Sequence, residues 1–364
     1  MSAALEIVSP GAMASIQDLG RPGLRRVGVP RAGALEPGWL RLANALVGNE
    51  EAAPAIEFFG GGLLMRALER PVRVALAGHF SATVIAADEQ RRVDSWRSVT
   101  LAPGETLRCA TLAEGRLGYV ALAGISVRRQ LGSASTYARA GLGGLDGRLL
   151  GPGDRLAAAA CSGAEKMLKE PPPVDPSPIR VVLGPQDDYF DEASIARLLS
   201  EAYQVSAAAD RMGIRLDGPR LGHRPEKGVE ITSDATVPGS IQVPGQGQPI
   251  VLLADGQTAG GYPKVATVIS ADLPRLAVMA PGQTLRFVAV SVPAAEFAAR
   301  TREAALQALI AGIGALAEPG ALDLQAIYDA NLVSGVVDAQ ADDGTLAASG
   351  KTAEGDRTDT MGDE

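Results

Sequence analysis

Short runs of Val, Leu, Ile and Ala, most of them bounded by Gly, Pro or Asp, recur along the chain and limit its architecture. The sequence has 43 Gly and 24 Pro among 364 residues, and both residue types disfavour the interiors of helices and strands. Short apolar segments separated by turn residues are typical of β-sandwiches and β-barrels. We therefore predict a mainly β protein, with strands at 72–77, 116–122, 179–183, 250–253, 265–269 and 285–290.

Three stretches carry the periodicity of helices. Residues 36–47 have Pro37 just inside the start and Gly48 just after the end, which is the usual asymmetry of helix termini. A second helix is predicted at 192–203 and a third at 294–316, where apolar residues recur on one face. The fold is thus expected to contain a few helices beside its strands.

The chain divides near residue 170. LAPGETLR (101–108) and MAPGQTLR (279–286) differ at two positions, and two further landmarks precede them in the same order, which favours an internal duplication over a recurring Pro-Gly turn. We predict five regions: an N-terminal β-barrel lobe with one long inserted helix (1–165), a Pro-rich linker (166–178), a C-terminal β-barrel lobe (179–292), a helical extension (293–337) and a disordered acidic tail (338–364).

Charge and composition exclude several classes of function. Residues 338–364 carry 8 acidic and 2 basic residues, so most of the net charge of -8 lies in the tail and the remainder is close to neutral. Without a basic field, we expect no nucleic-acid partner. Two Cys and two His are too few for a disulfide framework or a His-rich metal site.

Targeting features are equally sparse. No apolar run approaches the ~20 residues that span a bilayer, and the first residues lack the pattern of a signal peptide. We expect a cytoplasmic protein with no membrane partner and no metal. GTLAASGKT (344–352) has one residue too many between its glycines for a phosphate-binding loop, and neither a dinucleotide fingerprint nor a serine-hydrolase elbow is present.

Two Gly-rich loops in the first half carry candidate polar residues. Gln17, Asp18 and Arg21 stand before the first helix; Arg21 is either half of a local ion pair with Asp18 or an anion clamp that Asp18 orients. Ser133 and Ser135 lie in LGSAST, close to GLGGLDGR (141–148). Their hydroxyls either shape a turn or help to hold an oxyanion.

The second half holds the densest polar cluster. Asp210, Arg211 and Arg215 fall within DRMGIRL, where they either form a ladder of surface charges or bind a ligand, with both arginines facing one side of an extended segment. SIQVPGQGQPIVLLADGQTAGGYPK (240–264) interleaves amides and hydroxyls with Gly and Pro, which favours a binding site. Its candidate substrate-binding residues are Gln242, Gln257, Thr258, Gly260, Gly261 and Tyr262.

These motifs, together with RLANALVGN and GVPRAGALE, resemble the allophanate hydrolase subunit 2 family, a group of biotin-dependent carboxyltransferase-like proteins, from about residue 5 to residue 290. Its members include one component of bacterial 5-oxoprolinase, the KipA regulator and the carboxyltransferase part of urea carboxylase. The resemblance implies two cyclophilin-like β-barrel lobes. It also implies a heteromeric assembly with a KipI-like protein or the B subunit of 5-oxoprolinase, and with an A subunit.

The resemblance implies three alternative functions for the chain. The first is ATP-dependent hydrolysis of the lactam 5-oxo-L-proline to L-glutamate, with ATP used by the complex. The second is biotin-dependent carboxylation of urea or a related small polar amide, for which a carboxylase and a biotin carrier are needed in trans because MLKE (167–170) is not a Met-Lys-Met carrier motif. The third is a non-catalytic regulator that binds its partner.

For the hydrolase we expect Arg21, Arg211 or Arg215 to bind a carboxylate or phosphate. Asp18 or Asp210 would orient the substrate or act as base. Donors around Ser133, Gln242 and Thr258 would stabilise the developing negative charge.

Overall fold

The N-terminal half of the chain is built from two antiparallel β-sheets in the computed structural model, which describes residues 3–160 and 162–316. Its strands are β1 (Ala3–Pro10), β2 (Met13–Gln17), β3 (Ala55–Phe59), β4 (Leu63–Ala67), β5 (Val72–Ala77), β6 (Ser81–Ile85), β7 (Gln90–Asp94), β8 (Arg97–Leu101), β9 (Thr106–Cys109), β10 (Leu117–Leu122), β11 (Arg155–Ala157) and β12 (Lys166–Leu168). The six-stranded sheet has the order β11-β1-β4-β9-β6-β7.

The second half forms one large sheet. Its strands are β13 (Ile179–Leu183), β14 (Tyr203–Ala209), β15 (Gly213–Asp217), β16 (Asp234–Ala235), β17 (Ser240–Gln242), β18 (Ile250–Leu252), β19 (Ala259–Gly260), β20 (Lys264–Val268), β21 (Thr284–Leu285), β22 (Phe287–Ala289) and β23 (Ile313–Ala315). Eight of them have the order β21-β14-β15-β18-β17-β20-β13-β22, and β16 pairs with β19. The seven-stranded sheet of the first half, β2-β3-β10-β5-β8-β12-β23, takes its last strand from this part of the chain.

The helices are α1 (Pro37–Val47), α2 (Glu192–Ser200), α3 (Leu273–Val278) and α4 (Val292–Ala311). The first begins where expected because Glu36 caps it: the carboxylate accepts hydrogen bonds from Gly38 N at 3.3 Å and Trp39 N at 2.6 Å. It ends at Gly48, whose φ of 77° is the left-handed conformation that glycine adopts without strain. Its buried face, which includes Trp39 and Leu42, lies on β5 and β10.

Two hydrophobic cores meet at β10, which is buried along its whole length. Alternate side chains of a strand point to opposite faces, so Val120 and Leu122 pack between the two N-terminal sheets, whereas Tyr119 and Ala121 face the other side. There they share one core with α1 and with residues of the eight-stranded sheet such as Val251. The two halves are therefore joined by a continuous apolar core, and polar groups at this junction are buried.

The prediction of a mainly β fold with a few helices is confirmed. The Pro-Gly landmark adopts the same turn in both halves: Ala102 N donates to the carboxylate of Glu105 at 2.8 Å, and Ala280 N donates to the amide of Gln283 at 2.6 Å. This match accords with the internal similarity found in the sequence.

Three predicted boundaries are wrong. The second helix ends at Ser200, because Tyr203 begins β14. The third helix ends at Ala311, and Ile313–Ala315 then pair with Lys166–Leu168 of the predicted linker. That pairing makes β12 and β23 part of the seven-stranded sheet, so the linker begins after Leu168 and the C-terminal extension is not wholly helical. The predicted acidic tail lies outside the described residues.

Candidate functional site

The segment that joins β2 to α1, residues 19–35, lies between the two halves and is named the junction loop here. Ala32 N donates to Ala254 O at 3.0 Å, and the guanidinium of Arg25 donates to Thr236 O at 2.7 Å. Both acceptors belong to the C-terminal half. Because a loop of the first half is bonded to the second, the candidate residues of both halves are brought to one region.

Asp18 is held by four short hydrogen bonds. Its carboxylate accepts from Ser133 Oγ at 2.6 Å, Ser135 Oγ at 2.5 Å, Ala134 N at 2.7 Å and Gly20 N at 2.8 Å. The two serines therefore bind an oxyanion, as expected of that loop, but the oxyanion is the side chain of Asp18. This arrangement positions the loop 133–135 against the start of the junction loop.

Gln17 and Arg21 lie beside Asp18 and each keeps one buried polar atom without a partner among the described residues. Gln17 Nε2 donates to Ser15 Oγ at 2.9 Å and to Thr136 O at 3.2 Å, which leaves Oε1 free. Arg21 donates to the carbonyls of Gln130 and Ser135, which leaves Nη1 free. No direct ion pair joins Arg21 to Asp18 in the described part of the chain, so the local ion pair considered from the sequence is not formed.

Arg211 crosses the junction between the halves. Its guanidinium donates to Asp255 at 2.9 and 3.0 Å, to Gly33 O of the junction loop at 2.7 Å, and to Glu57 of β3. Tyr119 lies directly opposite Glu57 on β10 and donates its hydroxyl to that carboxylate at 2.5 Å. Four N–H···O bonds occupy most of the five donors of the guanidinium, so Arg211 links the halves rather than awaiting a ligand.

The electrostatics of this group follow from its burial. Burial raises the pKa of the Tyr119 phenol well above its usual value, and the negative charge of Glu57 adds to the effect. Burial acts to lower the pKa of Arg211, but Glu57 and Asp255 outweigh it and raise that pKa above its ordinary value. The guanidinium therefore stays charged and the phenol stays protonated across the physiological range.

A second polar group, formed by Gln242, Gln257 and Lys264, is named the amide–lysine cluster here. Gln257 Nε2 donates to Gln242 Oε1 at 2.9 Å. Gln242 is only 2% exposed, and its Nε2 has no acceptor among the described residues. A Cβ atom on Gly260 would lie 2.5 Å from that nitrogen, so only glycine leaves room beside it.

Lys264 completes this cluster. It lies opposite Gln242 in the pairing of β17 with β20, so both side chains share one face of the sheet. The ammonium is buried and donates to Asp234 Oδ2 at 2.6 Å and to Ala235 O at 2.7 Å. An ammonium has three N–H donors, and the third has no acceptor in the described part of the chain. The side chain of Asp234 is 51% exposed, so the cluster borders the solvent.

Arg25 joins the junction loop to the amide–lysine cluster. Its guanidinium donates to Gln257 O at 2.7 Å, as well as to the carbonyl and hydroxyl oxygens of Thr236. Burial lowers the pKa of Arg25. Because Gln257 in turn orients the amide of Gln242, the position of the junction loop fixes part of the cluster.

The other candidates of the sequence lie elsewhere. The carboxylate of Asp210 accepts from Met212 N at 2.7 Å and Gly213 N at 3.1 Å and so shapes a turn. Arg215 is exposed on β15 and does not share the environment of Arg211, because Arg211 precedes the strand and is buried at the junction. The expectation that both arginines face one side is therefore wrong.

Thr258, Gly261 and Tyr262 lie along the segment that leads to Lys264. The carbonyl oxygens of Thr258 and Gly261 accept backbone hydrogen bonds from Thr236 and Ile231 at 3.1 and 2.8 Å. Tyr262 is 39% exposed. These residues support or border the cluster, whereas Gln242, Gln257 and Gly260 are brought together in it.

Sequence reasoning missed Lys264, Arg25, Glu57 and Asp255. Lys264 closes the polar segment 240–264, and a lysine that ends an apolar-flanked polar run was the available signal. Glu57 stands in the middle of the apolar strand AIEFF, where a charged residue indicates a buried partner. No group of three or more His, Cys, Asp or Glu side chains suited to a metal is found in residues 3–160 and 162–316.

Over the same residues, no helix is long and apolar enough to cross a membrane.

The chain is similar to a set of known proteins. The family model described as "Carboxyltransferase domain, subdomain A and B" matches residues 27–289. The chain is 37% identical over 296 residues to the C subunit of 5-oxoprolinase from Escherichia coli (strain K12), an alignment that covers 79% of this chain and 92% of that protein. It is 30% identical over 335 residues to a urea amidolyase of Lachancea kluyveri, covering 84% of this chain and 18% of that protein.

A solved structure has the same fold. The crystal structure of the Kluyveromyces lactis urea carboxylase superposes with a TM-score of 0.74 and 26% sequence identity. The superposition covers 84% of this chain and 29% of that chain.

Proposed function

We propose a function from the premise that this chain belongs to the carboxyltransferase domain family, subdomains A and B. The resemblance drawn from the sequence motifs is confirmed by that match. Within the family, we propose that the chain is the C subunit of an ATP-dependent 5-oxoprolinase. Together with an A subunit and a KipI-like B subunit, it would hydrolyse 5-oxo-L-proline to L-glutamate in the cytoplasm, where ATP is supplied.

The observation that carries this proposal is the extent of the alignment with the C subunit of 5-oxoprolinase, which reaches across nearly all of that protein. The alignment with urea amidolyase reaches across less than a fifth of that protein. The relatives are named as one lettered component of 5-oxoprolinase, which implies an assembly of several subunits. The particular partners named above are part of the proposal.

The amide–lysine cluster suits the chemistry of a lactam. The lactam is a resonance-stabilised amide, so attack by water is slow unless the carbonyl oxygen is polarised and the oxyanion stabilised. Gln242 Nε2 and the third N–H of Lys264 are buried donors on one face of the sheet with no acceptor among the described residues. Donors fixed before the reaction stabilise developing negative charge without a cost of reorganisation. We assign them to the substrate carbonyl oxygen.

The remaining groups position this pair. Gln257 orients the amide of Gln242, and Asp234 holds the ammonium of Lys264. Asp18 and Arg211 hold the loops on either side of the junction, so we assign them to positioning rather than to proton transfer. ATP is used by the complex in this proposal, and no step on this chain is derived through it.

A second candidate is a biotin-dependent carboxyltransferase, which is favoured by the superposition on urea carboxylase. The same two donors would then polarise the carbonyl oxygen of urea or a related amide. In this case the biotin and its carrier would come from another chain.

The test is reconstitution of the full-length chain with A and B subunits from its own organism. The 5-oxoprolinase proposal predicts glutamate release from 5-oxo-L-proline that requires ATP and this chain, and that avidin does not inhibit. Carboxylation of urea that requires a biotinylated carrier and stops with avidin would replace it with the second candidate. Tight binding to the B subunit without turnover of any amide would make the chain a KipA-like regulator instead.

A further inference from the structure

A cleft of about 610 Å³ lies between the junction loop, the end of β20 and the first turns of α4. Its walls are mostly apolar and include Val182, Pro238, Ile269, Leu273, Ala295 and Ala299. Small-molecule sites have volumes of roughly 300–1,000 Å³ and are lined mainly by apolar groups with a few convergent polar ones. The cleft has the size and lining of such a site, and none of Gln242, Gln257 and Lys264 lines it.

The charges of the cleft have one dominant sign. Arg21, Arg25 and Arg31 line it, and Glu296 is the one acidic residue among its lining residues. Glu296 is exposed and lies 3.9 Å from Arg300 on the next turn of α4, so part of its charge is already offset. An occupant that complements this lining carries negative charge.

Each of the three arginines retains N–H donors with no acceptor in the described part of the chain. Arg31 is exposed and uses only Nε, which donates to Leu19 O at 3.3 Å, so both of its Nη groups are free. Arg25 Nε and Arg21 Nη1 are buried and unpartnered. A buried donor without an acceptor is costly, and hydrogen bonds from guanidinium to carboxylate or phosphate are among the strongest in proteins.

We propose that this cleft binds a small molecule with an apolar body and one oxyanion group, either carboxylate or phosphate. The apolar body lies against Ile269, Leu273 and Ala295, and Arg31 binds the oxyanion at the rim. The proposal goes beyond the proposed function, because it concerns a site apart from the amide–lysine cluster and needs no turnover.

Occupancy of the cleft has a structural consequence. The ligand would contact the junction loop on one side and β20 and α4 on the other, so it would bind only when the two halves are in place. A ligand that binds only the native state raises the temperature of unfolding. Arg25 lines the cleft and also holds Gln257 O, so the same contacts reach the amide–lysine cluster.

The experiment measures binding of three matched probes to the full-length chain by isothermal titration calorimetry and thermal unfolding. The probes are 4-phenylbutyrate, phenyl phosphate and the neutral 4-phenylbutyramide. We expect at least one anionic probe to bind and to raise the unfolding temperature, and the neutral amide to bind about tenfold more weakly or not at all. The comparison of the two anions distinguishes a carboxylate site from a phosphate site.

Variants locate the binding. Arg31→Glu should weaken the anionic probe about tenfold or more, whereas Arg26→Glu changes charge by the same amount at an exposed residue that does not line the cleft and should leave binding unchanged. Ala295→Phe should fill the cleft and abolish binding of every probe. Equal binding of the neutral amide, equal losses in the two arginine variants, or no binding of any probe at millimolar concentration would each overturn the proposal.

Discussion

Lys264 and Gln242 lie directly opposite each other on antiparallel strands β20 and β17, and both side chains are buried. A buried ammonium requires a partner, and Asp234 supplies it from the exposed side of the cluster. Hydrogen bonding to Lys264 lowers the pKa of Asp234, so this carboxylate stays ionised. The pair thus presents a charged donor and a neutral donor on one face, held by groups that lie outside the core.

Replacing Lys264 should abolish activity while leaving the fold intact. Lys264→Met keeps much of the volume of the side chain and removes the ammonium, and the half-exposed Asp234 can be solvated by water. Loss of one donor to a developing oxyanion costs about 10²–10³ in turnover, which a glutamate-release assay of the reconstituted complex would detect. Lys227→Met, which removes an exposed lysine paired with Asp188, is the control and should retain activity. Full activity of the Lys264 variant would remove this residue from the site.

Gln242→Glu should have a similar effect by a different route. The substitution exchanges the unpartnered N–H for a carboxylate oxygen, keeps the acceptor for Gln257, and introduces a negative charge beside the ammonium of Lys264. We expect thermal stability near that of the native chain and turnover reduced about 10²-fold or more. Gln204→Glu makes the same change at an exposed position of β14 and should be silent. Equal turnover in the two variants would contradict the role assigned to Gln242.

Arg211 should matter for stability more than for chemistry. Arg211→Met leaves the buried Glu57 and Asp255 without their cation, and removal of one partner from a buried ionic group costs about 3–5 kcal/mol. Urea unfolding of the isolated chain measures this difference. Arg92→Ala removes an exposed arginine paired with Asp94 and should cost about 1 kcal/mol or less. Similar free energies of unfolding for both variants would show that the junction does not depend on this ionic group.

Arg25→Met should loosen the contact between the junction loop and residues 254–260. The carbonyl groups of Gln257 and Thr236 lose their donor, which we expect to cost about 1–3 kcal/mol. Hydrogen–deuterium exchange should therefore increase in the 254–260 segment of the variant. Arg26→Met, at the exposed neighbouring position, should not change exchange there. An unaltered exchange pattern in the Arg25 variant would mean that the loop is held by other contacts.

The contact between α1 and α4 should depend on pH. Arg41 donates two hydrogen bonds of 2.7 Å to Glu303, which lower the pKa of that carboxyl from 4.5 to about 2. A carboxyl with a depressed folded-state pKa contributes stability that is present above pH 4.5 and is lost as the pH falls towards 2. The unfolding temperature of the native chain should therefore exceed that of Glu303→Gln at pH 7.

The excess should shrink progressively below pH 4.5. Glu296→Gln, an exposed change on the same helix whose ion pair is longer at 3.9 Å, provides the comparison. A difference for Glu303 that stays constant from pH 7 to pH 3 would show that the pair does not titrate as described.

Much of the fold follows from the sequence because it depends on local rules. Strands β5, β10 and β13 coincide with apolar runs between turn residues, and α1 coincides with a capped amphipathic stretch. The rules fail where a distant segment competes. Ile313–Ala315 have helical neighbours in sequence, yet they leave the helix after Gly312 because pairing with Lys166–Leu168 satisfies their backbone groups.

The sequence by itself determined the family, the mainly β class and the polar segments from which a site can be built. Only the tertiary structure decided which of those side chains meet. Glu57 and Arg211 are 154 positions apart, and their contact depends on how the two halves pack. The burial of Lys264 depends likewise on the register of β17 against β20. A charged residue near a turn is ordinarily solvated, and no local pattern shows that a neighbouring strand will cover it.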